Sequence, residues 1–162
     1  GEDLERIDLT ALMQSYLNNL NVVHPETNFI FQGTTSPIHV MVSDFRIEQL
    51  LDKLVDNALD FASPGSPIVL SLDQSGNTVE FSLTNSGATI PTDMIEAVFD
   101  SMISIRPGNP DNRLHFGMGL HVVRVIAEHH GGYVSIENVK EPDGVKVSVK
   151  LPLSGEPSTQ GI

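Results

Sequence analysis

The chain has 162 residues and 40% hydrophobic content, enough apolar material for one globular domain with a buried core. It contains no cysteine, which excludes a disulfide framework, a thiolate metal site and thiol catalysis. Acidic residues outnumber basic ones 21 to 9, for a formal charge of −12. That balance disfavours nucleic acid as a partner; it suits a basic partner surface, and more often serves solubility alone.

No apolar run approaches the length of a membrane span, and the N-terminus carries no signal-peptide pattern. Gly1 to Glu5 reads as a cut made within a larger protein. Leu9 to Val23 places Leu9, Leu12, Met13, Tyr16, Leu17 and Leu20 at the spacing of an amphipathic helix. Asn28 to Gln32 and Pro37 to Val42 alternate over short stretches broken by Gly33-Thr34-Thr35, and so predict a hairpin. Asp44 is a candidate N-cap for a helix running to Ala62, which Ser63-Pro64-Gly65-Ser66-Pro67 stops. Ile68 to Leu72 and Val79 to Leu83 predict strands joined by a turn at Gln74 to Asn77. Pro91 to Phe99 predicts a short helix. Asp100 to Phe116 has no period and is rich in Pro, Gly and Asn, which predicts either a functional lid or a disordered segment. A helix from Gly117 to His130 follows, then a hairpin of Tyr133 to Asn138 and Val145 to Leu151 turning at Pro142-Asp143-Gly144. Ser154 to Ile162 reads as a tail. This order implies an α/β sandwich (α+β) in which helices cover one face of a mixed sheet.

The helix opened by Gly117 and Gly119 and closed by Gly131-Gly132 has the layout of an anion site. Unpaired N–H groups and the positive end of the helix dipole meet there, and a phosphate chain suits both. In so acidic a chain, local dipoles and a divalent cation must overcome a repulsive average field. Upstream, in the helix Phe45 to Ala62, Lys53, Asn57 and Asp60 lie within about 60° of one another at about 100° per residue. They border the apolar stripe of Leu50, Leu54 and Phe61, which puts Asn57 at the rim of the core, facing a cavity. Between these two helices stands Leu83-Thr84-Asn85-Ser86-Gly87-Ala88-Thr89-Ile90-Pro91.

In that order the three segments resemble the catalytic, ATP-binding domain of sensor histidine kinases, in the superfamily that includes gyrase, Hsp90 and MutL. The resemblance covers Ile7 to Leu153. It implies the Bergerat ATP-binding fold, a largely antiparallel five-stranded sheet with about three main helices on one face. It also implies a domain over residues 1–153, a tail over 154–162, and phosphoacceptor-helix and sensor domains elsewhere in a longer protein.

Site roles carry over residue by residue. Asn57 matches the family's Mg²⁺ ligand, and an amide oxygen suits that hard ion. Asn85 stands where the family has an adenine-reading Asp. Its side-chain oxygen still accepts a hydrogen bond, as a neutral and weaker acceptor, and its NH₂ needs a partner of its own. Gly87 matches the glycine that lets backbone approach the base, and Thr89 replaces a second one, ahead of Ile90. The family's Asn four residues before the Mg²⁺ ligand is Lys53, and its cation three residues after is Asp60, next to Phe61. Lys53 can contact a phosphate. Asp60 can repel one, pair with Lys53 or lie on the metal side. Gly117, Met118, Gly119 and Leu120 form the phosphate nest, but Leu114-His115-Phe116 replaces glycines that precede it in the family. Arg106 and Arg113, the lid's only cations, are either γ-phosphate ligands or solvated loop charge. Val98-Phe99 resembles a lid-packing phenylalanine motif but reads more readily as a core aromatic. The six histidines form no metal constellation, and His129-His130 can cap the end of a helix.

What the resemblance implies is transfer of the ATP γ-phosphoryl, with Mg²⁺, to a histidine on an upstream dimerisation domain. No catalytic residue then lies in this chain itself. The implied partners are that phosphoacceptor domain, a second copy in a homodimer, and a response-regulator receiver domain; nucleic acid and direct membrane contact are not expected. The domain would be cytoplasmic, in a longer protein anchored in the inner bacterial membrane. Asn85, Thr89, Asp60 and the lost glycines leave open a degenerate domain that serves as a binding or regulatory module. Another ATPase of the superfamily, such as an anti-sigma kinase, is a further reading. A compact lid and the ending Gly144 to Leu153 count against that one.

Overall fold

The computed structural model describes residues 4–95 and 116–154. Glu5–Asp8 (β1) runs directly into Leu9–Val23 (α1), and the Asp8 carboxylate caps the junction by accepting the Ala11 N–H at 3.1 Å. Leu9, Met13, Leu17 and Leu20 are buried along one stripe of α1, each stabilising the fold by about 2 kcal/mol.

Phe29–Gly33 (β2) and His39–Val42 (β3) do not form the expected hairpin. β2 instead runs parallel to Ile68–Ser75 (β4), with Phe29 opposite Ile68. β3 pairs antiparallel with β1 in a separate two-stranded sheet. Alternation identifies a strand but not its partner, and here the helix Asp44–Phe61 (α2) supplies the long crossover that a parallel pair requires.

Ser43, not Asp44, is the N-cap of α2. The Ser43 hydroxyl accepts from the Arg46 N–H at 3.4 Å, while Asp44 lies in the first turn, where its charge complements the dipole. Ile47, Leu50, Leu51, Leu54, Ala58 and Phe61 are the buried stripe of α2. The helix stops at Ala62, whose extended backbone turns the chain into the Ser63–Ser66 turn.

Thr78–Ser86 (β5) continues the sheet against β4. After a short 3₁₀ turn at Thr92–Met94, the chain resumes in the helix Phe116–His129 (α3). The Pro91 to Phe99 helix is therefore seen only as this turn, and its remainder lies outside the described residues. Gly131, at φ +80°, closes α3 in a Schellman motif: its N–H reaches the Glu128 carbonyl at 3.0 Å, and the Gly132 N–H reaches the Ala127 carbonyl at 2.8 Å. Tyr133–Val139 (β6) and Gly144–Pro152 (β7) complete the five-stranded sheet in the order β2-β4-β5-β7-β6, in which only β2 and β4 are parallel.

The three helices cover one face of this sheet around a single apolar core that includes Leu50, Phe81, Leu120 and Val149. The other face carries Ser71, Ser82, Ser148 and Ser135 in one row across four strands. On the helix side, the row at one end of the sheet reads Phe29, Ile68, Asn85, Val145, Asn138. β3 is flanked on both sides, since the Met41 N–H donates to the Leu153 carbonyl at 3.0 Å while β1 occupies its other edge.

Candidate active site

Asn57 lies on the flank of α2 that meets α3. It is only 5% exposed, deeper than the core rim that its helix position suggests. A Cβ added to Gly119 would come within 3.5 Å of both Asn57 amide atoms, so the backbone of Gly119 faces that amide with no side chain between them. Asn57 Nδ2 is the single buried side-chain nitrogen or oxygen among the described residues that lacks a hydrogen-bond partner. Leaving such an atom unpaired costs about 1–3 kcal/mol. An atom left in that state marks a place where a ligand, an ion or a water completes the bonding. Rotating the amide by half a turn exchanges its nitrogen and oxygen, so the same position offers an oxygen to a cation. The residues present therefore fit Mg²⁺ beside the first turn of α3. Gly117, Met118 and Gly119 lie in that turn, whose leading N–H groups have no partner within the helix. Leu120 is fully buried, and its side chain belongs to the core.

The end of α2 is stitched to the end of β5. Ala62 and Gly87 form an isolated antiparallel bridge, and the Ser63 N–H donates to the Ser86 carbonyl at 2.7 Å. Gly87 has φ +148°, and a Cβ there would sit 2.3 Å from the Phe61 carbonyl oxygen, so only glycine fits. Asn85, two residues earlier, is 5% exposed and points into the helix-side row between Ile68 and Val145. Its NH₂ finds the partner it needs in the Ser86 carbonyl, at a long 3.4 Å. Thr89 is exposed. Ile90 is buried, and its backbone is held by Asn138: the Ile90 N–H donates to Asn138 Oδ1 at 2.9 Å, and Asn138 Nδ2 donates to the Ile90 carbonyl at 2.7 Å.

Asn57 and Gly119 thus come together, and Phe61 meets Gly87 where α2 joins the end of β5; Ile90 is tied to Asn138 instead. Lys53 and Asp60 do not join the Asn57–Gly119 contact in the same way. Lys53 lines a groove of about 470 Å³ between α1 and α2, with Tyr16, His24, Gln49, Asp52 and Asp56, and Asp60 is exposed. In that groove the Tyr16 hydroxyl donates to the Asp52 carboxylate at 2.6 Å. Burial first, and this bond second, hold the Tyr16 phenol well above its ordinary range. Arg106, Arg113 and Val98-Phe99 lie outside the described residues. Asn138 carries no motif signal, and no sequence pattern pointed to it.

Residues 43–155 match the family model described as "Histidine kinase-, DNA gyrase B-, and HSP90-like ATPase". The chain is 24% identical over 136 residues, 84% of its length, to the signal transduction histidine-protein kinase ArlS of Staphylococcus epidermidis, and spans 30% of that relative's length. The catalytic domain of histidine kinase ThkA superposes with a TM-score of 0.79 at 24% identity, covering 95% of this chain and 98% of that one. ThkA in complex with the response regulator protein TrrA gives 0.78 at 22% identity, covering 94% of this chain and 42% of that one. At such identities these structures show the fold.

The chain belongs to this ATPase family, as an ATP-binding catalytic domain of the kind found in sensor histidine kinases. ATP is the ligand this class of domain binds. No helix among the described residues is long and apolar enough to cross a membrane.

Proposed function

We propose that this domain, over residues 1–153, holds ATP with Mg²⁺ and presents its γ-phosphoryl to a histidine on a phosphoacceptor domain outside this chain. The observation that carries this reading is the buried, unpartnered Asn57 amide facing the side-chain-free backbone of Gly119. When bound there, Mg²⁺ would neutralise phosphate charge and orient the triphosphate for in-line transfer. Asn57 supplies the amide oxygen to the ion. The leading N–H groups of α3, in the turn of Gly117 to Gly119, bind phosphate oxygens, aided by the α3 dipole. Asn85 accepts a hydrogen bond from the adenine amino group, and Gly87 lets the backbone lie against the base. Arg106 and Arg113 are assigned to the γ-phosphate, and Lys53 and Asp60 to the border of the site.

Among the described residues no cluster of three or more His, Asp or Glu is placed to hold a metal. Asn57 would therefore hold the ion without a carboxylate or histidine cluster from the described residues, and Mg²⁺ commonly binds through few protein groups. The domain's contribution is positioning and electrostatics, and the acid–base group belongs with the phosphoacceptor histidine. The full protein would act as a homodimer, anchored in the inner bacterial membrane with this domain in the cytoplasm. It would pass phosphate to a response-regulator receiver domain.

Calorimetric titration with a non-hydrolysable ATP analogue and Mg²⁺ tests the reading. Binding at micromolar strength, lost in Asn57→Ala, is the expected result. No binding at millimolar nucleotide would overturn it and leave a regulatory binding module.

A further inference from the structure

Between Gly87 and Pro91 the chain leaves β5 and crosses the end of β7 toward β6. Both ends of this crossover are pinned. At its start, the Gly87 N–H donates to the Asp143 carbonyl at 2.8 Å. At its finish, the Asn138 amide takes both backbone groups of Ile90, at 2.9 and 2.7 Å. The Asn138 amide donates and accepts at once, as the backbone of a neighbouring strand would, so Asn138 substitutes for a missing strand. Ile90 is 1% exposed, and without Asn138 its N–H and carbonyl would both lose these partners away from water. Asn138 also stands on the same helix-side row as Asn85, with Val145 between them. The residue assigned to adenine and the residue that fixes the crossover are therefore aligned by sheet register, not by a flexible loop.

We propose that Asn138 is a positioning residue for base recognition: it sets the path of Gly87 to Ile90 and thereby the distance between that backbone and the purine. This rests on the assignment of adenine to Asn85 and Gly87. Asn138 itself touches no part of the nucleotide. Its influence passes through Ile90.

The chain contains its own control. Asn21, on α1, clamps Phe29 in the same way, its Nδ2 donating to the Phe29 carbonyl at 3.1 Å and its Oδ1 accepting the Phe29 N–H at 3.0 Å. That clamp sits at the opposite edge of the sheet and holds no part of the crossover.

The experiment compares the intact chain with Asn138→Ala, Asn138→Asp and Asn21→Ala. It measures affinity for non-hydrolysable ATP and GTP analogues with Mg²⁺, and amide hydrogen exchange at Ile90. Asn138→Ala should release the Ile90 amide and weaken the ATP analogue by about tenfold, the equivalent of one or two lost hydrogen bonds. It should also erode the preference for ATP over GTP, a change that general loss of stability does not produce. Asn138→Asp keeps the acceptor for the Ile90 N–H but loses the donor, so it should fold and fall between the two. Asn21→Ala should keep the wild-type base preference. If Ile90 exchanges freely in Asn138→Ala while base preference is unchanged, the proposal is wrong. If the unmodified chain binds neither analogue, the adenine assignment fails with it, and that case is told apart because Ile90 exchange still responds to Asn138→Ala.

Discussion

His130 accepts a hydrogen bond from the Ser43 N–H on its Nε2 at 3.1 Å, across 87 residues of sequence. Its other ring nitrogen, Nδ1, lies 2.8 Å from the Ile126 carbonyl. One partner only donates and the other only accepts, so the ring is neutral, with its proton on Nδ1. His130 is 1% exposed and ties the start of α2 to the end of α3, the two helices that carry Asn57 and Gly119.

Replacing His130 by Phe keeps a ring of similar bulk but strands the Ser43 N–H and deprives the Ile126 carbonyl of a donor. The expected cost is about 2–4 kcal/mol by urea denaturation. A loss below about 0.5 kcal/mol would mean that water or a rearranged backbone replaces the imidazole at no cost.

Gly87 and Gly119 should respond in opposite ways to alanine. At Gly87 the added Cβ meets the Phe61 carbonyl oxygen at 2.3 Å in a backbone region that side chains avoid. Gly87→Ala should lose about 2–4 kcal/mol, or fail to fold, because it parts the end of α2 from β5. At Gly119 the Cβ would make only ordinary contact, 3.5 Å from the Asn57 amide. Gly119→Ala should fold as well as the native chain, gaining up to about 1 kcal/mol of helix propensity, yet bind Mg²⁺-nucleotide at least tenfold more weakly. Thermal melts beside titration calorimetry separate the two cases.

Asn57 should be a site where stability and binding oppose one another. Its Nδ2 has no partner, so Asn57→Leu, close in volume, removes a buried cost. An increase in stability of about 1–2 kcal/mol, together with complete loss of nucleotide binding, is expected. A destabilised variant would show that the amide is structurally satisfied in solution.

Asp56 gives a pH-dependent outcome. Burial is the main cause that raises its carboxyl above the ordinary value of 3.8; Lys53 opposes this, and Asp52 and Asp60 reinforce it. The fold therefore disfavours the ionised form, a cost fully present above the raised value and absent below 3.8. Asp56→Asn should raise the melting temperature at pH 7 by on the order of 1–2 °C, an effect that shrinks as pH falls and vanishes in acid. A gain that persists unchanged into acid would point to a cause other than charge.

Much of this fold was legible because its signals are local. The buried stripes of α1 and α2 follow from spacing, and Gly131-Gly132 marks the end of α3 through a cap that needs positive φ. The order of Asn57, Gly87 and Gly119 marks three segments, of which the fold sets Gly119 against Asn57 and Gly87 against the end of the same helix. What stayed hidden depends on long-range partners. Phe29 to Gly33 alternates alike whether it pairs with β3 or lies parallel to β4, and only the burial of α2 as a crossover decides. β1 is four residues long, too short for a periodic signal. Asn138 and His130 act through bonds to Ile90 and Ser43, residues 48 and 87 positions away, and no spacing within a motif encodes such reach. Asn57 proved more deeply buried than its helix face implied, because α3 packs over it at Gly119.

β3 is only four residues long, yet Glu5–Asp8 lies along one edge and Leu153 bonds to the other. Residues almost 150 positions apart are thus separated by two strand spacings, about 10 Å. A linker of about four residues spans that gap. A circular permutant that joins the two ends and reopens the chain at the exposed Ser75–Gly76–Asn77 turn should therefore retain the fold, with Asn57 and Gly119 still side by side.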